Sequence, residues 1–146
     1  MSALDVRQPA TRSELGVWPD LADPLVRQEL TPSALGAMER LADRWGLGVK
    51  QVGDLLGGVA SSTWHSWKAR PPAELSMDQL TRMSLLLGIF TALQVLHPGE
   101  LADTWVARPN TNEIFAGRTP LQCMIDGGIP VMVEVRRLLD GRRGGL

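Results

Sequence analysis

VKQVGDLLGGVASSTWHSWK, residues 49–68, is the stretch on which the fold turns. From about Val49 to Leu56, Val52, Leu55 and Leu56 recur at helical spacing and give a short helix one apolar face. Gly57-Gly58 closes it. A second short helix begins near Ser61 or Ser62 and carries Trp64 and Trp67. Two short helices about a tight turn have the anatomy of a DNA-reading pair, whose requirements are steric. The first helix needs a small residue where the second crosses it, and Gly53 fills that place. The turn needs a residue that tolerates positive φ, which Gly57 or Gly58 supplies. The second helix needs apolar anchors about three apart, met by Trp64 and Trp67. Its outer face is then left to Ser61, Ser62, Thr63, His65, Ser66 and Lys68, with Arg70 beyond and Lys50 on the first helix, all candidates for phosphates or base edges. The alternative is a helical hairpin that only packs, with the hydroxyls as caps and His65 as an ordinary surface residue.

Outward from this unit the pattern stays helical. Thr31-Pro32 reads as a helix start, a hydroxyl followed by proline in the first turn. Leu35, Met38, Leu41, Ala42 and Trp45 follow at helical spacing, and Gly46 suits a left-handed cap. Pro71-Pro72 stops the Trp64 helix. Ser76 and Gln79 form a capping-box pattern that opens a helix reaching Leu96, ahead of Pro98. Leu80, Met83, Leu86, Leu87, Ile89, Phe90, Leu93 and Leu96 cover more than one of its faces, so it must be buried from several sides, inside one chain or at a dimer contact. Glu100 to Ala107 reads as another helix. A connector over 110–118 buries Ile114 and Phe115. Thr119-Pro120 repeats the helix start, Gly127-Gly128 ends that helix, and Pro130 opens the last one. There Val131, Val135, Leu138 and Leu139 make one stripe and Gly141 the cap. No stretch shows strand alternation, so the fold class is all-α. Residues 1–30 read as a flexible arm, with a local docking cluster of Leu15, Val17, Trp18 and Leu21.

Composition narrows the function classes. Of the 146 residues, 44 % are hydrophobic and 21 % charged, which is ordinary for a globular protein. The net charge of −1 gives no global attraction to nucleic acid or anionic membrane, so any DNA contact must be local. Between Gly36 and Arg70 the balance is only weakly basic, with Arg40, Arg44, Lys50, Lys68 and Arg70 against Glu39, Asp43 and Asp54. A single cysteine, Cys123, allows no internal disulfide and reads as packed core; with no signal-peptide pattern, a cytoplasmic protein is the simplest reading. Met83 to Leu96 is too interrupted by Ser84, Thr91 and Gln94 to reach the roughly 18 apolar residues of a membrane span. No phosphate-loop, nucleophile-elbow or H-E-x-x-H pattern is present, and His65 and His97 have no metal-ligand neighbours. The expectation is a binding protein and not an enzyme, with no cofactor and no metal.

Trp105, Pro109-Asn110, Phe115-Ala-Gly117, Thr119-Pro120-Leu121, Gly127 and a final helix with Val131, Val135 and Leu138-Leu139 stand in an order that resembles the C-terminal toxin-binding domain of the MbcA/ParS/Xre antitoxins. The upstream pair resembles the Xre-type helix-turn-helix, with a turn one residue longer than the commonest pattern. Together the resemblance covers roughly residues 35–141. It implies an arm over 1–30, an Xre-like helix-turn-helix domain with a long connecting helix over 31–97, and a toxin-binding domain with a C-terminal tail over 98–146. It further implies a RES-domain toxin partner that consumes NAD and is neutralised by covering its cleft. Operator DNA would be bound with the toxin to repress the operon, by a homodimer within a larger complex. Arg136, Arg137, Leu139, Arg142, Arg143 and the Leu146 carboxylate are then the natural plug for the toxin site. For the arginines, a solvated helix end serves equally well as an explanation. A regulator without a toxin partner is the alternative function.

Overall fold

In the computed structural model, which describes residues 19–143, the first helix opens at Asp23-Pro24. The Asp23 carboxylate accepts from the Leu25 N–H at 2.9 Å, and Pro24 occupies the first turn. This helix, α1, spans Pro24–Arg44. Its start corrects the expected one at Thr31-Pro32, because Pro32 lies inside the helix. Thr31 is 1 % exposed. Its hydroxyl donates to the Arg27 carbonyl at 2.6 Å and accepts from the Leu75 N–H at 3.0 Å. The hydroxyl that resembles a cap is a buried bridge from α1 to the strand of chain before the next long helix. The same acceptor-then-proline signal stands eight residues earlier, and that one is used. Gly46 ends α1 with φ of 66°, and Leu47 and Gly46 donate to the Ala42 and Asp43 carbonyls, the paired bonds of a left-handed cap.

Two short helices follow, α2 over Val49–Leu55 and α3 over Ser61–Trp67, then α4 over Met77–Leu96. The capping box at its start is present in both halves: Ser76 Oγ accepts from the Gln79 N–H, and Gln79 Oε1 accepts from the Ser76 N–H, each at 3.0 Å. α5 covers Glu100–Thr104 and passes into a single 3₁₀ turn at Trp105–Ala107, where a continuous helix is expected from sequence. α6, Pro120–Gly127, is capped by Thr119, whose Oγ1 accepts from the Gln122 N–H at 3.1 Å. α7, Ile129–Arg143, completes seven α-helices, with no strand among the described residues. It runs through Gly141, which is therefore not its cap.

α4 is the centre of the packing. α1 lies on one side, α7 on another, and α5 folds back on its C-terminal end. Leu80, Met83, Leu86, Ile89, Ala92 and Leu93 are buried. By length and composition α4 is apolar enough to cross a bilayer, contrary to the shorter count from sequence; here it is the shared core helix of two halves. On α7 the buried stripe is Met132, Val135 and Leu139, with Val131 and Leu138 at its margins. Polar contacts reinforce the seam. Arg44 of α1 binds Asp103 of α5 at 3.0 Å, Gln94 of α4 bridges to the same carboxylate at 3.0 Å, and the Arg44 guanidinium lies 5.5 Å from the Phe90 ring centre.

Before α4, Glu74 ties the chain back to α1. The Arg27 side chain, and after it Gln28, donates to its carboxylate and holds the Glu74 pKa below the ordinary 4.5. A carboxyl whose pKa is depressed on folding adds stability above the unfolded pKa, and this is lost as pH falls through the folded one. Glu74→Gln should therefore be less stable than the parent at about pH 7, with the gap closing below the ordinary 4.5. Urea denaturation at about pH 7 and about pH 3 reads both values; an equal gap at the two would show that the carboxylate charge contributes nothing.

Candidate functional site

α2, the turn and α3 form the first candidate surface. Both turn glycines take positive φ, 87° at Gly57 and 103° at Gly58, which an L side chain resists. The Gly58 and Val59 N–H groups both donate to the Gly53 carbonyl, at 2.8 and 3.0 Å. Gly53 is small because the turn backbone folds over it: a Cβ there would stand 2.0 Å from the Val59 carbonyl oxygen. Its neighbour is thus the turn, which corrects the expectation from sequence that the second helix crosses there. Trp64 is buried and Trp67 half-buried against it, ring centres 6.2 Å apart and edge to face.

With those two rings turned inward, α3 presents the opposite face to solvent. Ser61, Ser62, Thr63, His65, Ser66 and Lys68 are all exposed, as are Arg70 after the helix and Lys50 on α2. Ser66 donates to the Thr63 carbonyl at 2.9 Å. Lys50 is paired with Asp54 one helical turn away, at 3.0 Å, so part of its charge is already answered. All eight predicted DNA-facing residues are accessible on one unit.

Arg82 of α4 is a part of this unit that sequence reasoning misses. Its Nη1 donates to the Leu55 carbonyl at 3.3 Å, at the open end of α2, and its Nε donates to Asp78 at 2.8 Å. A Cβ on Gly57 would come within 3.0 Å of that Nε, and one on Gly128 within 3.7 Å of its Nη2. One guanidinium therefore stands between the turn of the helix pair and the link from α6 to α7. The only sequence signal is the four-residue spacing from Asp78.

The second candidate surface is built on a pinned loop. Asn110 and Arg118 face each other: the Asn110 N–H donates to the Arg118 carbonyl and the Gly117 N–H to the Asn110 carbonyl, each at 3.0 Å. The Asn110 side chain accepts from the Asn112 N–H at 2.9 Å, and that of Asn112 from the Ile114 N–H at 3.1 Å. Ala116 and Gly117 take positive φ, 50° and 82°, to turn the chain. Phe115 is 1 % exposed and meets Trp105 edge to face with ring centres 5.8 Å apart. Ile114 is 43 % exposed, which corrects the expected burial: the two residues are adjacent in a turn, so only one side chain can point inward. Cys123 is buried in α6 beside the Phe115 carbonyl. The motif residues of this half thus build a platform, which carries α7.

On α7 the predicted contact residues divide. Leu139 is 0 % exposed and belongs to the chain's own core, so it cannot touch a partner and acts only by seating the helix. Arg136 packs across Gly88 of α4, where a Cβ would stand 1.6 Å from its Nη1, and pairs with Asp140 at 2.9 Å. Arg137 is exposed, with Glu134 at 3.4 Å, and Arg142 is exposed. The side chain of Arg143 and all of Leu146 lie outside the described residues. Among the described residues no three of His, Cys, Asp and Glu gather as a metal site.

Residues 24–88 match the antitoxin Xre-like helix-turn-helix domain, and residues 92–145 match the antitoxin Xre/MbcA/ParS C-terminal toxin-binding domain. The chain belongs to the Xre/MbcA/ParS antitoxin family. An uncharacterized protein, y4oB, of Sinorhizobium fredii (strain NBRC 101917 / NGR234) is 38 % identical to it over 115 residues, covering 78 % of this chain and 87 % of that one. No solved structure matches the chain. The first matched domain of the antitoxin begins at residue 24, where α1 begins, and the two domains meet between residues 88 and 92, inside α4.

The helix-turn-helix of the antitoxin rests on Gly53. Helix propensity favours alanine there by about 1 kcal/mol. The clash is with a backbone carbonyl that cannot rotate away, and overpacking of this kind costs about 1–3 kcal/mol or more. The clash should win, so Gly53→Ala lowers the urea midpoint with an unchanged slope; a variant as stable as the parent would mean that the turn does not close over α2.

Proposed function

We propose that this antitoxin neutralises a RES-domain toxin that consumes NAD, by covering the toxin's active-site cleft with α7 and the tail. With the toxin it binds the promoter of its own operon through α3 and represses it. It acts by binding, in the cytoplasm, without catalysis or cofactor. The observation that carries the reading is the pairing of an exposed hydroxyl-bearing face on α3, followed by Lys68, with a toxin-binding domain on the same core helix. Arg137, Arg142 and Arg143 are the contacts proposed for the toxin, since guanidinium groups pair with carboxylates in a planar, two-pronged way. Two copies would present two α3 helices to a palindromic operator.

The direct test is copurification with the product of the adjacent gene, followed by an NAD-depletion assay. The full chain should suppress NAD loss, and a chain lacking residues 142–146 should release it. Undiminished inhibition by the truncated chain would take the tail out of the toxin contact. A neighbour that consumes no NAD would leave the reading of a regulator without toxin.

DNA binding is read by gel shift on the upstream sequence over a range of salt. If Lys68 and Arg70 contact phosphates, Lys68→Ala and Arg70→Ala each lower affinity on all sequences and reduce the salt slope by about 1. An unchanged slope in both would move the interface off α3.

A further inference from the structure

An open groove of about 1300 Å³ runs along the seam of the two halves. Ala34 and Ala37 of α1, Leu80 and Leu85 of α4, and Ile129 and Val133 of α7 line it. Pro19 to Ala22, the first described residues, form part of its wall. Its size exceeds the roughly 300–1,000 Å³ of small-molecule sites, and an apolar channel between helices fits a length of peptide chain.

We propose that the occupant is the antitoxin's own N-terminal segment, with Leu15, Val17 and Trp18 seated in the groove. The attachment point is the first argument. Pro19 is in the wall, so Trp18 is bonded to a wall residue, and Val17 follows one Cα spacing of about 3.8 Å further on. Docking then closes almost no loop and needs no second molecule. A second copy placing a segment in the same groove would also lose translational and rotational freedom, a cost of several kcal/mol. Composition is the second argument. Three of the four residues from Leu15 to Trp18 are apolar, one of them the largest side chain available, and exposed apolar surface of that size seeks cover. Charge is the third. Arg40 stands on the groove, as does Arg136 beside its partner Asp140, and Glu14 directly precedes the apolar residues. Seated there, the segment touches α1, α4 and α7 at once and seals the joint between the two domains.

The full chain labelled with 5-fluorotryptophan tests this by ¹⁹F NMR. It gives five resonances, one per tryptophan, and Trp18→Phe removes the one to be followed. The expected Trp18 signal shows no H₂O/D₂O solvent-isotope shift, at every protein concentration. Ser84→Glu, at an exposed position on the groove wall, should restore the full solvent shift, and Ala37→Glu on the opposite wall should do the same. A solvent-shifted Trp18 in the parent chain overturns the proposal. So does protection that appears only at concentrations where the chain self-associates, which would put the segment in a second copy. Protection that survives both blocking variants, each confirmed helical by circular dichroism, would place Trp18 elsewhere and also overturns it.

Discussion

The apolar residues of α4 occupy more than one side of the helix, so the helix has to be covered from at least two directions. α1 supplies one cover and α7 the other. Everything else in the molecule follows from that requirement. The α2–α3 pair is joined in the chain to α1 and to the start of α4 and packs against α6, while the loop and α6 that support α7 follow the end of α4. Two domains that are distinct as families are thus, physically, two coats of one helix. The polar seam obeys the same logic. Arg44, Gln94 and Asp103 lock α1, α4 and α5 together, and Arg82 reaches from α4 to the end of α2 and the α6–α7 link.

This arrangement has a functional consequence. A helix of seven residues, such as α3, cannot hold its own position in water. α3 is held by Trp64 and Trp67, and its angle is set by the Gly53 carbonyl gathering the turn. The exposed row of hydroxyls, His65 and Lys68 therefore stands on a rigid base. The toxin-binding domain follows the same rule: Phe115, Trp105 and the Asn110 turn fix the platform, Leu139 and Met132 seat α7, and the outward residues of that helix, Arg137 and Arg142 among them, stay exposed.

Much of this is legible in the sequence because the signals are local. A capping box at Ser76, a Thr119-Pro120 start, a Gly46 stop and paired turn glycines each specify their own backbone conformation, and each is found as read. The readings that fail depend on what is nearby in space. Thr31-Pro32 carries the right chemistry for a helix start, but the Thr31 hydroxyl is claimed by Leu75, 44 residues away. Ile114 and Phe115 are equally apolar, and only the ring of Trp105 decides which turns inward. Leu139 lies on the expected stripe, and for that reason is core and not contact. Arg82 and its position between two domains leave almost no trace in the chain order. The exposure of Ser61, Ser62, Thr63, His65 and Ser66 is readable because burying two tryptophans on a short helix fixes which face remains.

The claim beneath the account is that both domains share one core and fold as one body. Differential scanning calorimetry of the full chain tests it most directly. One transition is predicted, with calorimetric and van't Hoff enthalpies in a ratio of about 1. Two resolved transitions, or a ratio approaching about 2, would mean that the halves melt independently and that α4 does not unite them.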